Sequence, residues 1–201
     1  LGAAAQLIDQ GKKQILLTGY QGNLLKSCPG TQGHICCNLL VVNPYEGCPI
    51  DCTYCVLQEY LRRSPTIKIF TNTDEMFESV KLRTESEPSR FFRVCTGELS
   101  DSLALDDLTD LSSELVSFFA QLPNAVLELK TKSANVKNVL ALKNEHKDHT
   151  VLSWSVNAKT VVKHDEAFAQ SLEKRIEAAR LAQEAGYRIG LHFDPVVHFP
   201  G

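Results

Sequence analysis

From residue 39 onward, short runs of apolar and β-branched residues alternate with amphipathic stretches that are long enough to form helices. The runs typical of strands are 39–42, 67–71, 91–95, 126–130, 151–156 and 188–193. The stretches that favour helices are 55–63, 74–82, 107–122, 135–144 and 171–185. This alternation predicts an α/β fold made of βαβ units around a parallel sheet, either doubly wound or an incomplete barrel.

Residues at the ends of these stretches are of the types that begin and end helices. Asp74 and Asn135 are expected to act as N-terminal caps, because their side chains can accept hydrogen bonds from free backbone N–H groups. Gly186 stands where a helix that ends at residue 185 would need a left-handed conformation.

The length of the chain favours one domain preceded by a less regular segment. The sequence has 201 residues, of which 43% are hydrophobic, enough to bury one core. Glycines and a proline interrupt the first forty residues, so we expect an irregular lead-in segment over 1–38 and one domain over 39–201. Met76 is the only methionine and the sequence stops directly after its last strand-like run, so we expect a piece of a longer protein whose domain is incomplete at its C-terminus.

The charge pattern and hydropathy limit the class of protein. The net charge is −3, from 21 basic and 24 acidic residues that are mixed along the chain, so no overall field favours a polyanion. No run approaches the roughly 20 apolar residues of a membrane span, and the Ala-rich start lacks the pattern of a signal peptide. We therefore expect no membrane partner and a cytoplasmic location.

Three of the seven cysteines lie within eight positions, as Cys48, Cys52 and Cys55 in a C-x3-C-x2-C array. The array falls in the loop between the first strand and the first helix, at the sheet edge where α/β proteins place their sites. In a reducing compartment such a group of thiols usually holds metal. Three thiolates can anchor three irons of a [4Fe–4S] cluster and leave the fourth iron open for a ligand.

A zinc ion is the alternative occupant of this loop. A structural zinc site needs four ligands, so His34, Cys36 or Cys37 would have to close it. The protein would then be a zinc-stabilised binding module without catalytic activity. Cys28, Cys36 and Cys37 could instead form a second metal site with His34, although their spacing is poor for it.

Tyr54 stands directly before the third cysteine, and a C-x3-C-x2-C array with an aromatic residue there resembles the hallmark of the radical S-adenosylmethionine (SAM) enzymes. The resemblance implies a partial (β/α)6 barrel, here truncated before its last strand, with the cluster loop after the first strand. It also implies that SAM binds the open iron of a [4Fe–4S] cluster, and that one electron splits SAM into methionine and a 5′-deoxyadenosyl radical.

Further stretches resemble one branch of that superfamily, the spore photoproduct lyases, which repair thymine dimers in DNA. They are 52–58 (CTYCVLQ), 64–72 (SPTIKIFTN), 90–98 (RFFRVCTGE), 131–132 (TK), 153–157 (SWSVN) and 175–180 (RIEAAR), followed by Gly186 and Tyr187. The resemblance implies damaged DNA as a substrate and an electron donor such as a flavodoxin or a ferredoxin. A radical SAM enzyme with another substrate remains open.

The same resemblance implies roles for individual residues. Cys95 matches a cysteine at the end of the next core strand that returns a hydrogen atom to the product radical. Gly97 and Glu98 resemble a motif that binds SAM, and Lys132 and Ser155 match positions that contact its methionine carboxylate.

Two more residues are candidates for the same pocket. Asn157 follows Ser155 by two positions, so on a strand its side chain would point to the same face and help to bind the cofactor. The family carries a tyrosine after the third cluster cysteine that relays the radical, and this chain has Val56 there. Tyr60 would share a helix face with Val56, so we expect it to be a candidate substitute in catalysis.

Overall fold

The computed structural model describes residues 10–28, 30, 33, 35, 38–60 and 64–198. Its strands are β1 (Ile15–Thr18), β2 (Leu25–Ser27), β3 (Leu39–Val42), β4 (Tyr45–Glu46), β5 (Asp51–Cys52), β6 (Ile67–Phe70), β7 (Phe92–Cys95), β8 (Ala125–Thr131), β9 (Thr150–Ser155), β10 (Glu166–Ala167) and β11 (Arg188–His192). Its α-helices are α1 (Leu57–Tyr60), α2 (Thr73–Ser86), α3 (Asp106–Thr109), α4 (Leu111–Phe119), α5 (Lys137–Ala141), α6 (Lys159–Asp165) and α7 (Leu172–Glu184), with a 3-10 turn at Asn144–His146.

A six-stranded sheet organises the chain, in the order β11-β9-β8-β7-β3-β2. Strands β3, β7, β8, β9 and β11 are parallel and follow one another in chain order, whereas β2 is antiparallel at the edge. Helical segments connect the parallel strands, as βαβ units require. The predicted α/β fold class with a parallel, barrel-type sheet is confirmed.

The two faces of this sheet differ in composition. Val42, Val94, Leu127 and Leu152 point to one face and are completely buried in the main hydrophobic core. Helix α4 packs against β8, and α7 packs against β9 and β11, so this core lies between the sheet and its helices. Because side chains alternate along a strand, the other set of residues faces the inside of the partial barrel.

The strand predicted at 67–71 is present, but the prediction that it belongs to the main parallel sheet is wrong. Strand β6 lies in a separate three-stranded sheet of order β1-β6-β4. It is parallel to β1, with Ile15 opposite Ile67, and antiparallel to β4, with Tyr45 opposite Ile69. An apolar run indicates a strand but not its neighbour, and here the neighbour β1 comes from the segment that was expected to be irregular.

Several helix ends differ from the predictions. The stretch 107–122 is divided into α3 and α4, because Asp110 adopts a left-handed conformation with φ 51°. Asp74 lies inside α2, whose N-cap is Asn72, and α5 begins after Val136, not at Asn135. The left-handed conformation predicted for Gly186 is confirmed by its φ of 96°.

Two of the elements that were not predicted lie beside the cysteine loop. Helix α6 and the short strand β10 follow directly after β9 and its outgoing loop. Strand β10 pairs antiparallel with β5, so that Glu166 stands opposite Cys52 and Ala167 opposite Asp51. A two-residue strand leaves no periodic pattern in a sequence, and its existence depends on a partner more than a hundred residues away.

The segment 1–38 contains two strands in its described part, β1 and β2, and β2 extends the main sheet. The domain boundary at residue 38 stays a prediction. Across the described ranges, none of the helices has the length and apolar character needed to cross a membrane.

Candidate active site

The three-cysteine loop follows β3 and is held by its own turns and by β10. Gly47 enters the loop with φ 93°, and a Cβ there would stand 3.2 Å from the Cα atom of Ile67, so this position requires glycine. The backbone N–H of Cys55 donates to the Cys52 carbonyl at 3.1 Å, which closes a tight turn between the second and third cysteines. The backbone N–H of Thr53 donates to the carbonyl of Asp165 at 2.8 Å. The loop is thus tied to the end of α6.

A cavity of about 290 Å³ lies between this loop and the carboxyl ends of β7, β8 and β9. Seven of the site residues predicted from the sequence line this cavity: Cys48, Cys52, Cys55, Gly97, Glu98, Lys132 and Ser155. Parallel strands end at the same edge of a sheet, which explains why residues more than a hundred positions apart meet there.

The electrostatic environment of the thiols is set by burial. Burial raises the pKa of Cys48 to about 12, and the carboxylate of Asp101 adds to the effect. Burial likewise raises the pKa of Cys52 to about 11, while the ammonium group of Lys132 opposes the rise. Without a bound cation the thiols of Cys48 and Cys52 stay protonated at neutral pH, so metal binding by these two residues must release protons.

Gly97 and Glu98 lie at the mouth of the turn that follows β7. The Nδ2 group of Asn43 donates to Oε2 of Glu98 at 2.8 Å, which fixes the carboxylate against the end of β3. A Cβ on Gly97 would stand 3.2 Å from Oγ of Ser102. The glycine therefore allows the backbone to form part of the cavity wall.

Asp101 holds Lys132 in place, although no sequence pattern had indicated this role. Its Oδ2 atom accepts from the backbone N–H of Lys132 at 2.6 Å, and its Oδ1 atom accepts from the hydroxyl of Thr131 at 2.6 Å. The same carboxylate accepts from the backbone N–H groups of Leu103 and Ala104. An acidic residue in a loop carries no sequence signal for such a role, because its partners come from the next strand of the sheet.

Tyr54 and Asn157 lie behind the loop and are not among the residues that line the cavity, so direct contact between either of them and a cofactor stays a prediction. The hydroxyl of Tyr54 donates to Glu166, and Nδ2 of Asn157 donates to Oε1 of Glu166 at 2.8 Å and to the Tyr54 hydroxyl at 3.2 Å. Strand β9 ends at Ser155, so the alternation that would have turned Asn157 inward does not continue. The ammonium group of Lys132 stands 5.7 Å from the centre of the Tyr54 ring, within cation–π range.

A buried ion pair completes this group of residues. Glu166 and Arg175 bind each other with both side chains fully excluded from solvent. Arg175 also donates to the backbone carbonyls of Ser155 at 2.9 Å and Gln170 at 2.8 Å. Neither residue was selected from the sequence as functional, and an arginine within an amphipathic helix pattern gave no reason to expect burial.

Cys95 ends β7 on the inner face of the sheet, beside Glu128 of β8. Its side chain does not line the 290 Å³ cavity, although Gly97 two residues later does. Burial raises the pKa of Cys95 to about 11, and the carboxylates of Glu128 and Glu98 add to the rise. The thiol therefore carries its hydrogen at neutral pH.

Val56 and Tyr60 lie at the start and end of the short helix that follows the cysteines. Val56 contributes to the cavity lining, whereas Tyr60 is 70% exposed and does not reach the cavity. The backbone N–H of Tyr60 donates to the Val56 carbonyl, so the predicted helical relation between the two is present. Residues 61–63 of the predicted helix lie outside the described residues.

The three thiols of the loop are ligands of the chemical type that holds iron–sulfur clusters. Within the described part of the chain, no three His, Cys, Asp or Glu side chains are arranged around a single ion site. His34, Cys36 and Cys37, which would close a zinc site, lie outside the described residues. Ser100 lines the cavity with a buried hydroxyl that has no partner among the described residues, which leaves polar capacity for a bound group.

Comparison with known proteins decides the family. A sequence model of the family named spore photoproduct lyase matches residues 41–201. The chain belongs to the spore photoproduct lyase family. This finding confirms the resemblance noted in the sequence.

Curated relatives in the family are themselves named spore photoproduct lyase. The chain is 32% identical over 158 residues to that of Geobacillus sp. (strain Y412MC61), covering 77% of this chain and 45% of the relative. It is 33% identical over 153 residues to that of Bacillus subtilis (strain 168), covering 75% of this chain and 43% of the relative. The chain thus spans less than half the length of these curated relatives.

Solved structures of spore photoproduct lyase share the fold. One, a double mutant with bound AdoMet and dinucleoside spore photoproduct, superposes with a TM-score of 0.88 at 23% identity, over 100% of this chain and 56% of that one. Another, complexed with dinucleoside spore photoproduct, gives a TM-score of 0.86 at 24% identity, over 98% of this chain and 56% of that one.

Proposed function

We propose that this chain carries the catalytic core of a radical SAM lyase that repairs spore photoproduct, a thymine dimer of DNA. The observation that carries the proposal is the cavity of about 290 Å³, in which Cys48, Cys52 and Cys55 face Glu98, Lys132 and Ser155. Membership of the spore photoproduct lyase family supports the same reaction.

In this proposal the three thiols hold a [4Fe–4S] cluster and the opposite wall of the cavity binds SAM. When bound, the cluster supplies the electron that cleaves SAM to a 5′-deoxyadenosyl radical. The ammonium group of Lys132 attracts the methionine carboxylate of SAM, and the carboxylate of Glu98 accepts from its ammonium or ribose hydroxyl groups. The partly buried walls of the cavity lower the local dielectric and strengthen these charged contacts.

In this proposal Cys95 gives the hydrogen atom of its thiol to the product radical that remains after the thymine–thymine bond has broken, and becomes a thiyl radical. The role requires the thiol and not the thiolate, because only the S–H bond carries a hydrogen atom to give. With a pKa of about 11, the thiol is the dominant form at neutral pH. Its position on the inner face, at the end of β7, directs it toward a substrate that enters the barrel from the cavity side.

DNA that contains spore photoproduct is the proposed substrate, since solved structures of spore photoproduct lyase contain dinucleoside spore photoproduct. We propose a reduced flavodoxin or ferredoxin as the electron donor and a cytoplasmic location, where thiols are kept reduced. Val56 leaves no phenol directly after Cys55, where the family carries one, and Tyr60 stays outside the cavity, so the route by which the Cys95 radical is quenched is assigned to neither residue.

Anaerobic purification followed by two assays tests the proposal. The first assay measures iron and acid-labile sulfide, and about four of each per chain is expected. The second adds SAM, a strong reductant and DNA that contains spore photoproduct, and intact thymines with 5′-deoxyadenosine are expected. Cys95→Ala should still form 5′-deoxyadenosine but should not complete the repair cleanly.

The opposite outcomes are equally distinct. A colourless protein with one tightly held zinc ion would replace the enzyme with a zinc-stabilised module. Formation of 5′-deoxyadenosine without any release of thymine would retain the radical SAM reaction and assign it to a different substrate.

A further inference from the structure

The inner face of the main sheet carries a line of charged residues that the proposed cofactor site does not use. Strand β8 places Val126, Glu128 and Lys130 on this face, alternating with the core residues Leu127 and Leu129. Lys130 lines the cavity that faces the cysteine loop, and Glu128 lies two residues deeper in the barrel. A carboxylate in such a position requires an explanation, because burying a charge is unfavourable.

Glu128 is held by one of its two oxygens. Its Oε1 atom accepts from the hydroxyl of Ser153 at 2.8 Å and contacts Nε2 of His192 at 2.6 Å. Its Oε2 atom has only a long contact of 3.5 Å with the guanidinium group of Arg93. The side chain keeps 12% exposure, so Oε2 can still accept a hydrogen bond from a ligand.

The charge state of Glu128 is fixed by these neighbours. Burial would raise its pKa, but the hydrogen bonds from Ser153 and His192 and the positive charge of Arg93 outweigh burial and lower the pKa. Near neutral pH the group is therefore a carboxylate, which accepts hydrogen bonds and donates none.

Glu128 lies beside the thiol that is proposed to react with the substrate. Its Cα atom is the register partner of Cys95 on the neighbouring strand, and Lys130 connects it to the cavity. A substrate carbon within reach of both the cavity and the Cys95 thiol therefore lies against Glu128. This step rests on the function proposed above, in which Cys95 donates to the substrate.

Two cationic residues flank Glu128, and together the three side chains give the inner face a pattern of hydrogen-bonding groups. Lys130 lies on its cavity side along β8, where its Nζ atom also contacts Oδ2 of Asp194 at 3.5 Å, and Arg93 lies on its deeper side along β7, so a cationic residue flanks Glu128 in each direction. From Lys130 through Glu128 to Arg93, the side chains therefore offer a hydrogen-bond donor, an acceptor and a second donor. The imide edge of a thymine ring presents the complementary order, a carbonyl, an N–H and a second carbonyl.

We propose that Glu128 is the residue that selects the substrate, by accepting a hydrogen bond from the imide N–H of a pyrimidine-2,4-dione ring, with Lys130 and Arg93 donating to the flanking carbonyls. Cytosine would present a ring nitrogen acceptor to the carboxylate, and a phosphate group would present negative charge. Either group would leave the Glu128 carboxylate without a hydrogen-bond donor and would repel its negative charge. The base therefore enters the barrel, while the sugar–phosphate backbone stays at its rim.

A binding experiment with modified lesions tests this contact. Affinity of the anaerobically purified protein is measured for dinucleoside spore photoproduct and for the same lesion methylated at N3 of one ring or the other. Methylation at one of the two rings should weaken binding to the wild type at least about tenfold, because it leaves a charged acceptor without its donor. Glu128→Ala should bind the native and methylated lesions with nearly equal affinity.

Comparing two ligands on the same protein cancels any general loss of stability in the variant. Glu128→Gln serves as a second variant of nearly equal shape, and its methylation penalty should fall between those of the wild type and Glu128→Ala. An equal penalty in the wild type and both variants would overturn the assignment of Glu128 while leaving the lyase proposal intact. Failure of the wild type to bind either lesion would overturn the proposed substrate and this inference together.

Discussion

Glu166 and Arg175 form an ion pair from which solvent is fully excluded, and the same carboxylate also accepts from the Tyr54 hydroxyl and the Asn157 amide. Because Tyr54 belongs to the cysteine loop, this pair fixes the loop from behind. A metal site needs such outer contacts, which orient the ligands without touching the metal.

Breaking the Glu166–Arg175 pair should strongly destabilise the fold. Glu166→Gln removes one charge at nearly constant volume and leaves the guanidinium group of Arg175 buried and uncompensated. A loss of about 3–5 kcal/mol in the free energy of unfolding is expected, measured by denaturant titration. Glu177→Gln is the matched control, because Glu177 pairs with Arg180 on the exposed side of the same helix. Equal losses in the two variants would contradict the role of the buried pair.

The same pair predicts how stability depends on pH. Burial would raise the pKa of Glu166, but hydrogen bonds from Tyr54, Asn157 and Arg175 outweigh it and hold the pKa below its ordinary value of 4.5. The stabilisation is therefore complete above pH 4.5 and is lost as the pH falls through the lower, folded-state pKa. Denaturant titrations between pH 7 and pH 3 should show a steeper loss below pH 4.5 in the wild type than in Glu166→Gln. Parallel curves would refute this prediction.

Tyr54→Phe should loosen the cysteine loop without breaking the ion pair. The variant keeps the aromatic ring near Lys132 and loses only the hydroxyl that donates to Glu166. A stability loss of about 1 kcal/mol is expected, together with faster release of iron to a chelator from the reconstituted protein. Tyr60→Phe is the control, since its side chain lies on the exposed end of the following helix. Identical iron release from both variants would argue against a positioning role for Tyr54.

The Cys95 thiol should react slowly with alkylating reagents. At a pKa of about 11 rather than the ordinary 9.0, about one thiol in a thousand is ionised at pH 8, compared with about one in ten for an ordinary cysteine. Alkylation by iodoacetamide, followed peptide by peptide with mass spectrometry, should accelerate about tenfold per pH unit up to pH 11. A rate that levels off near pH 9 would show that the pKa of the Cys95 thiol is not raised.

Gly97→Ala should weaken SAM binding. The new Cβ would lie 3.2 Å from Oγ of Ser102. This oxygen cannot easily move away, because it accepts hydrogen bonds from the hydroxyl of Thr96 and the backbone N–H of Lys130. Such overpacking costs about 1–3 kcal/mol, and the displaced wall narrows the cavity. Equilibrium binding of SAM by the cluster-loaded protein measures the effect. Gly19→Ala, whose Cβ would meet only Asn72 at 4.0 Å, should bind SAM as the wild type does.

The sequence predicted those parts of the fold and site that depend on local patterns. Apolar runs located β3, β7, β8, β9 and β11, and the cysteine spacing located the loop that faces their ends. Parallel topology then brought Glu98, Lys132 and Ser155 to the same edge, as expected from their positions after consecutive strands.

The remaining parts depend on contacts between distant segments, which leave no periodic trace. The pairing of β6 with β1, the strand β10 and the partners of Asp101 all belong to this class. Asn157 illustrates the limit most directly. Strand alternation predicted an inward side chain, but the strand ends at Ser155 and the amide turns to Glu166 instead.

The pairing of β10 with β5 has a consequence for the order of events during synthesis. Tyr54 and its acceptor Glu166 are separated by 112 positions. The ribosome must therefore add most of the domain before the hydrogen bond that holds the cysteine loop can form. Iron delivered to a nascent chain would meet three cysteines on an untethered segment. Insertion of the proposed cluster is thus expected to follow folding of the polypeptide through Arg175.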